Sequence, residues 1–310
     1  MALKRKIAGG LGAWIAALWL GLNFAQLLGA AYNNLGCLAL AASDPARAEH
    51  YFRKALIWTP NDPRIYRNLG CANIQQGDYQ AALDAFGRAL ELAPNYALAY
   101  YDLGRAYRRT GGWSDTLASW EKAGAVSQLI ALGDEMSESG SYHEAIEAYE
   151  TAARFTLEDA ERMELYIRLG SAFHHLKRWE EAEEWYSQAR LTQPDREEPW
   201  RYLGLNALAQ KDFARAEKYL QEALRRDPKS EWAHNFLGRV YQGQGNFRKA
   251  EEELRQALAL NSKNLWHHLH LGDVYRAQGR LEEARTAYEA ALALDPANVQ
   301  ARQRLREIGH

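Results

Sequence analysis

The sequence predicts an all-α fold of about eight helix–turn–helix repeats, with an N-terminal transmembrane helix ahead of them and a short C-terminal capping helix behind. Three observations predict it. A charge-free run follows a basic N-terminal tip, and a Leu-Gly dipeptide recurs at near-constant spacing from residue 35 to residue 272. The helix-favouring residues Ala, Leu, Glu and Arg are abundant, against only 8 prolines.

The N-terminal element comes first. Lys4, Arg5 and Lys6 precede residues 7–32, none of which is charged. About 20 apolar helical residues cross a bilayer. The basic tip is expected to stay cytoplasmic, making residues 1–31 a single-pass anchor with the rest of the chain extracytoplasmic, in a periplasm-like space. Three readings stand open: a retained signal anchor, a peptide cleaved after Gly29-Ala30-Ala31, or a buried helix on the first repeat. Gly9, Ala13, Ala17, Gly21, Ala25 and Gly29 recur every four residues, a stripe that would let two transmembrane helices approach closely.

The repeats follow. Leu-Gly stands at Leu35-Gly36, Leu69-Gly70, Leu103-Gly104, Leu132-Gly133, Leu169-Gly170, Leu203-Gly204, Leu237-Gly238 and Leu271-Gly272, mostly 34 residues apart. Twelve residues after the glycine a small residue recurs, Ala48 and Ala82 being the first two. Sixteen residues after it comes Phe52, Phe86, Trp120, Tyr149, Tyr186, Leu220, Leu254 or Tyr288, and three further on always an alanine. Five repeats close on a proline, which ends a helix because it lacks an N–H and clashes with the preceding turn. The small sites are expected where two helices of a pair cross, and the aromatic sites between consecutive pairs. The third repeat is short, predicting a kink or tightened turn near Gly124.

These positions resemble the tetratricopeptide-repeat (TPR) motif over residues 29–298, divided as 29–62, 63–96, 97–125, 126–162, 163–196, 197–230, 231–264 and 265–298. Residues 299–310, with Val299, Leu305 and Ile308, would form the cap. The resemblance implies a right-handed superhelix whose first helices line a concave groove that binds a protein or peptide. On that basis the groove collects Arg64, Arg67, Arg105, Arg108 and Arg109, with Asn34, Asn68 and Asp102 in equivalent places. Asp134 and Glu138 reverse the sign in repeat 4, and Tyr202, Trp232, Phe236, Trp266 and His270 follow. A basic entrance and an aromatic exit would suit a segment bearing acidic and apolar side chains. The plainer expectation is that the arginines pair with Asp102, Asp134 and Glu138 across repeats, and that some aromatics are core. The groove sites that a chaperone-binding carboxylate clamp fills with Lys and Asn hold Asn33, Cys37, Arg67 and Cys71, so a chaperone C-terminus is not the indicated ligand.

Composition narrows the function further. A net charge of -2, from 38 basic and 40 acidic residues, does not point to nucleic acid. Cys37 and Cys71 form neither a disulfide framework nor a CxxC pair. His267 and His270 share a helix face without a third ligand, and His174 and His175 have no acid or cysteine at ligand spacing. With no P-loop, nucleophile elbow or HExxH, no catalysis, cofactor, metal or small-molecule substrate is expected. The expected function is a membrane-tethered scaffold or adaptor that supports a membrane-associated complex. The alternatives are a permanent subunit held through its transmembrane helix and, by analogy alone, an accessory of an envelope glycan synthase.

Overall fold

In the computed structural model the backbone of residues 2–309 and the side chains of residue 21 and residues 23–309 are described. Every regular element among the described residues is an α-helix. The first seven are α1 (Ala2–Ala41), α2 (Pro45–Trp58), α3 (Pro63–Gln76), α4 (Tyr79–Leu92), α5 (Ala97–Thr110), α6 (Trp113–Ala123) and α7 (Val126–Glu138). Next come α8 (Tyr142–Ala153), α9 (Asp159–His175), α10 (Trp179–Thr192), α11 (Glu198–Ala209) and α12 (Phe213–Arg226). The last are α13 (Glu231–Gly243), α14 (Phe247–Leu260), α15 (Leu265–Ala277), α16 (Leu281–Leu294) and α17 (Val299–Ile308). They fall into two compact units, Met1–Ala131 and Leu132–His310, and the division lies within α7.

Local chemistry sets the helix ends. Asp44, Asp62, Asp78 and Asp212 each stand at an N-cap and accept from a backbone N–H two or three residues on. Asn246, Asn264 and Asn298 do the same for α14, α15 and α17. Pro60, Pro94, Pro194, Pro228 and Pro296 each follow a C-cap residue directly, as their missing N–H requires. Between α6 and α7 the turn shrinks to Gly124 and Ala125. Gly124 takes φ +66°, a left-handed C-cap open to glycine without strain, and this is the tightened turn expected in the short repeat.

Packing within each helix pair rests on one contact. A Cβ placed on Gly70 would lie 2.5 Å from the Phe86 ring, and the same clash would meet Trp120 at Gly104 and Tyr186 at Gly170. The residue sixteen after the glycine therefore lies over the glycine of its own pair. The same side chains also reach the next pair, as expected: Phe52 packs with Ile65 and Leu69, and Phe86 with Leu103 and Ala106. Where that residue is tyrosine, its hydroxyl finds a partner one position after a glycine: Tyr149 donates to Asp134 at 2.6 Å and Tyr288 to Asp273 at 2.9 Å. The alanines three residues further on, from Ala55 to Ala291, are wholly buried except Ala123, which is partly exposed at the end of the short α6. At the C-terminal end α17 covers α16 through Ala301 and Ile308, while Val299, expected to help cap the array, is 74% exposed.

α1 departs most from expectation. Among the described residues no helix is long and apolar enough to cross a membrane. Most of the expected anchor lies outside the described side chains, as do Gly9, Ala13 and Ala17 of the small-residue stripe. From Phe24 onward the same helix is part of the array. Phe24 meets Trp58 edge-on at 6.2 Å, and Gly29 is buried so closely that a Cβ there would lie 2.5 Å from Thr59 Oγ1. Gly29 thus serves the contact between α1 and the end of α2, and Gly21 is exposed with open space about it. The reason is chemical: an uncharged Gly/Ala-rich run satisfies a helix–helix contact as readily as a lipid one.

Candidate functional site

In the first unit, α1, the turn between α2 and α3, α3 itself and Tyr96 enclose a cleft of about 1090 Å³. Its size lies just above the usual range for ligand pockets. Four of the expected groove residues meet there, Asn34, Arg64, Arg67 and Asn68, beside Ala25 of the small-residue stripe. The remaining wall comes from Gln26, Asn33, Trp58, Asn61 and their neighbours. Asn33 was already placed among the groove sites, but Gln26, Trp58 and Asn61 were missed because residues 25–30 read as membrane segment and residues 58–61 as a repeat terminus. Pro60, which closes that repeat, was the available signal for a rigid rim.

The cleft is rich in amides and its charges are already matched. Asn68 Nδ2 donates to Asn33 Oδ1 at 2.9 Å across the repeat boundary, whereas Asn34 is exposed. Arg64 folds back on Asp62 through Nε at 3.0 Å and Nη2 at 2.7 Å, holding that carboxyl below its ordinary range. Arg67 donates from Nε to Asp102 Oδ2 at 2.7 Å, and Arg105 reaches Asp102 Oδ1 at 3.1 Å. Asp102 is almost wholly buried, so one carboxylate anchors two guanidinium groups, and the plainer expectation of arginines paired across repeats is met at Arg67. Burial, then Asp102, pushes the Cys71 thiol up to about 12, which makes it a poor nucleophile near neutral pH. Arg108 and Arg109 are exposed in the last turn of α5, outside the cleft walls.

In the second unit the expected groove residues serve the array itself. Asp134 accepts from Tyr149 and, at 3.0 Å, from Arg168, while Glu138 is exposed at the end of α7. Tyr202 stacks on the buried Tyr186 at 5.3 Å, with the Arg201 guanidinium 4.7 Å from its ring. Phe236 belongs to the hydrophobic core, and Trp232 and Trp266 pack against that core half-buried. The aromatic exit is therefore corrected: these rings fill space between neighbouring helices, because burying an aromatic gains more than presenting it to water.

One buried polar cluster accompanies them. Asn235, wholly buried in α13, donates from Nδ2 to His267 Nδ1 and accepts at Oδ1 from His270 Nδ1, both at 2.9 Å. His267 Nε2 has no hydrogen-bond partner and lies 3.7 Å from Glu231 Oε1. Burial pushes the His267 imidazole down to about 4, against the opposing pull of Glu231. Burial, reinforced by Arg239 and Arg304, holds His270 well below its ordinary value. A base whose folded pKa is depressed contributes stability above its unfolded pKa and loses it as pH falls. Unfolding free energy should therefore drop as pH falls from about 6.5 to about 4, His267 accounting for about 3 kcal/mol. Urea unfolding of the parent and His267→Gln across that window checks this: the parent's acid loss should exceed the variant's, and parallel curves would refute it.

The family model for the C-terminal domain of cilia and flagella-associated protein 70 matches residues 115–309, and the tetratricopeptide repeat model matches residues 33–97 and 67–123. Among solved structures, the APC/C hetero-tetramer Cut9-Hcn1 is similar at 20% identity and a TM-score of 0.52, over 88% of this chain and 55% of that one. The chain thus spans about half the length of that relative. A tetratricopeptide repeat protein from Parabacteroides merdae aligns at 14% identity and a TM-score of 0.49, over 92% of this chain and 100% of that chain. MamA protein aligns at 21% identity and a TM-score of 0.43, over 55% and 92%. At such identities the likeness is one of fold. No curated protein matches the chain.

Proposed function

Because the chain belongs to the tetratricopeptide-repeat family, we propose that it is a protein-binding scaffold whose first unit holds an extended segment of a partner protein in the cleft between α1 and α3. The observation that carries this reading is the amide lining. Asn33 and Asn34 from α1 and Asn68 from α3 bring side-chain donors and acceptors to the cleft, the groups that satisfy a peptide backbone irrespective of its sequence. Trp58 and Pro60 supply apolar contact beside them. Because Arg64 and Arg67 are held by Asp62 and Asp102, selection for strongly acidic segments is weak, and backbone recognition dominates.

The test uses extended peptides selected by display on the full chain. Replacing both Asn34 and Asn68 by Ala should weaken those peptides about tenfold or more, since each hydrogen bond contributes about 0.5–1.5 kcal/mol. The same double variant should unfold within about 1 kcal/mol of the parent, because Asn68 gives up one partly exposed bond to Asn33 and a long, exposed one to Cys37 Sγ. Unchanged affinity in the double variant would move the site elsewhere.

A further inference from the structure

In the later helix pairs, three positions of the first helix are covered by the second helix of the pair before. In α3 they are Ile65, Leu69 and Ala72; in α5 they are Ala99, Leu103 and Ala106, and all six are buried. Phe52 and Ala55 of α2 cover the first set, and Phe86 of α4 packs on the second. The equivalent residues of α1 are Ala31, Leu35 and Leu38. They are exposed, Leu35 by 41% and Leu38 by 66%, and no helix among the described residues lies over them. Phe24 at 58% and Leu27 at 69% extend the same face.

The array itself shows what fits such a face: an antiparallel helix with apolar residues spaced as Phe86, Ala89, Leu90 and Ala93 are in and just after α4. α1 carries that pattern too, in Phe24, Leu27, Leu28 and Ala31. One helix thus holds both the covering pattern and the uncovered one. Its exposed residues 24, 27, 31, 35 and 38 are also spaced symmetrically about residue 31.

We infer that two copies of the chain pair antiparallel through α1, with Phe24 against the partner's Leu38, Leu27 against the partner's Leu35, and Ala31 against the partner's Ala31 on the two-fold axis. A small residue on the axis lets the helices approach closely, as the glycines do within each pair. Residues 7–43 carry no charge, so the two-fold juxtaposes no like charges. Head-to-tail stacking is closed off, because α17 already occupies the outer face of α16.

Light scattering on the full chain should give twice 35.2 kDa at tens of micromolar, and Leu38→Glu should return it to 35.2 kDa with unchanged helicity. In a Cys37→Ser, Cys71→Ser background, Ala31→Cys should oxidise to a covalent dimer. Leu38→Cys alone should not, since the two copies of that residue would stand about 20 Å apart along the axis. Leu38→Cys mixed with Phe24→Cys should cross-link. A monomeric parent, or self-cross-linking of Leu38→Cys without that of Ala31→Cys, overturns the pairing. So does co-flotation of the full chain with phosphatidylcholine–phosphatidylglycerol vesicles that Leu27→Glu and Leu38→Glu abolish, because lipid would then be the occupant.

Discussion

Replacing Phe86 by Ala is expected to lower the unfolding free energy by about 3–5 kcal/mol, the usual cost of emptying a fully buried aromatic site. Phe86 lies over Gly70 within its pair and touches the following pair through Leu103 and Ala106, so the cavity weakens two contacts in one array. A second substitution makes the expectation specific. Gly70→Ala alone drives a methyl to within 2.5 Å of the Phe86 ring and should cost about 1–3 kcal/mol by overpacking. In the Phe86→Ala background the same methyl enters vacated space, so the Gly70→Ala penalty should largely vanish or reverse. Chemical denaturation of the four proteins gives the coupling, expected to exceed about 1 kcal/mol. Additive losses would mean that the close approach of Gly70 to Phe86 is not what sets the crossing.

The second large effect is at Asp102. Removing its carboxylate leaves the Arg67 guanidinium, whose side chain is 27% exposed, without its 2.7 Å partner. Breaking a buried ion pair by deleting one member costs about 3–5 kcal/mol. Asp102→Ala should fall near the lower bound, because Arg105 is half-exposed and water can solvate it. Binding should move the other way. With Asp102 gone, Arg67 and Arg105 lose their internal anion, and acidic display-selected peptides should bind the cleft more tightly while neutral ones change little. Pairing Asp102→Leu with Arg67→Met should recover most of the stability without that gain. Calorimetric titration beside thermal unfolding separates the two effects, and a variant that loses both stability and acidic-peptide affinity would contradict this account.

Much of the scaffold was legible because its constraints are periodic. The small residues at Gly70 and Ala82 recur in phase through the repeats and announce the crossing, while the lie of the Phe86 ring over Gly70 emerged only in three dimensions. Helix C-terminal ends were legible from Pro, whose backbone chemistry is local. The site was half legible. Asn34, Arg64, Arg67 and Asn68 do line one cleft, but the walls from α1 and the turn at residues 58–61 were hidden. Their contribution depends on how α1 lies against α2, and no spacing rule encodes that.

By itself the sequence determined the helical class, the repeat and its family, and the small-residue sites at which the helices of a pair cross. These follow from helix period and side-chain volume, which act over one or two turns. The tertiary structure alone decided that Asp102 gathers Arg67 and Arg105, that Phe236 is core, that Asn235 bridges two histidines, and that α1 from Phe24 onward belongs to the array. Each of these depends on what a neighbouring element places within a few ångströms. An uncharged run has the same composition whether lipid or protein covers it, and a surface arginine the same formula whether paired or free. Only the positions of their partners distinguish the cases.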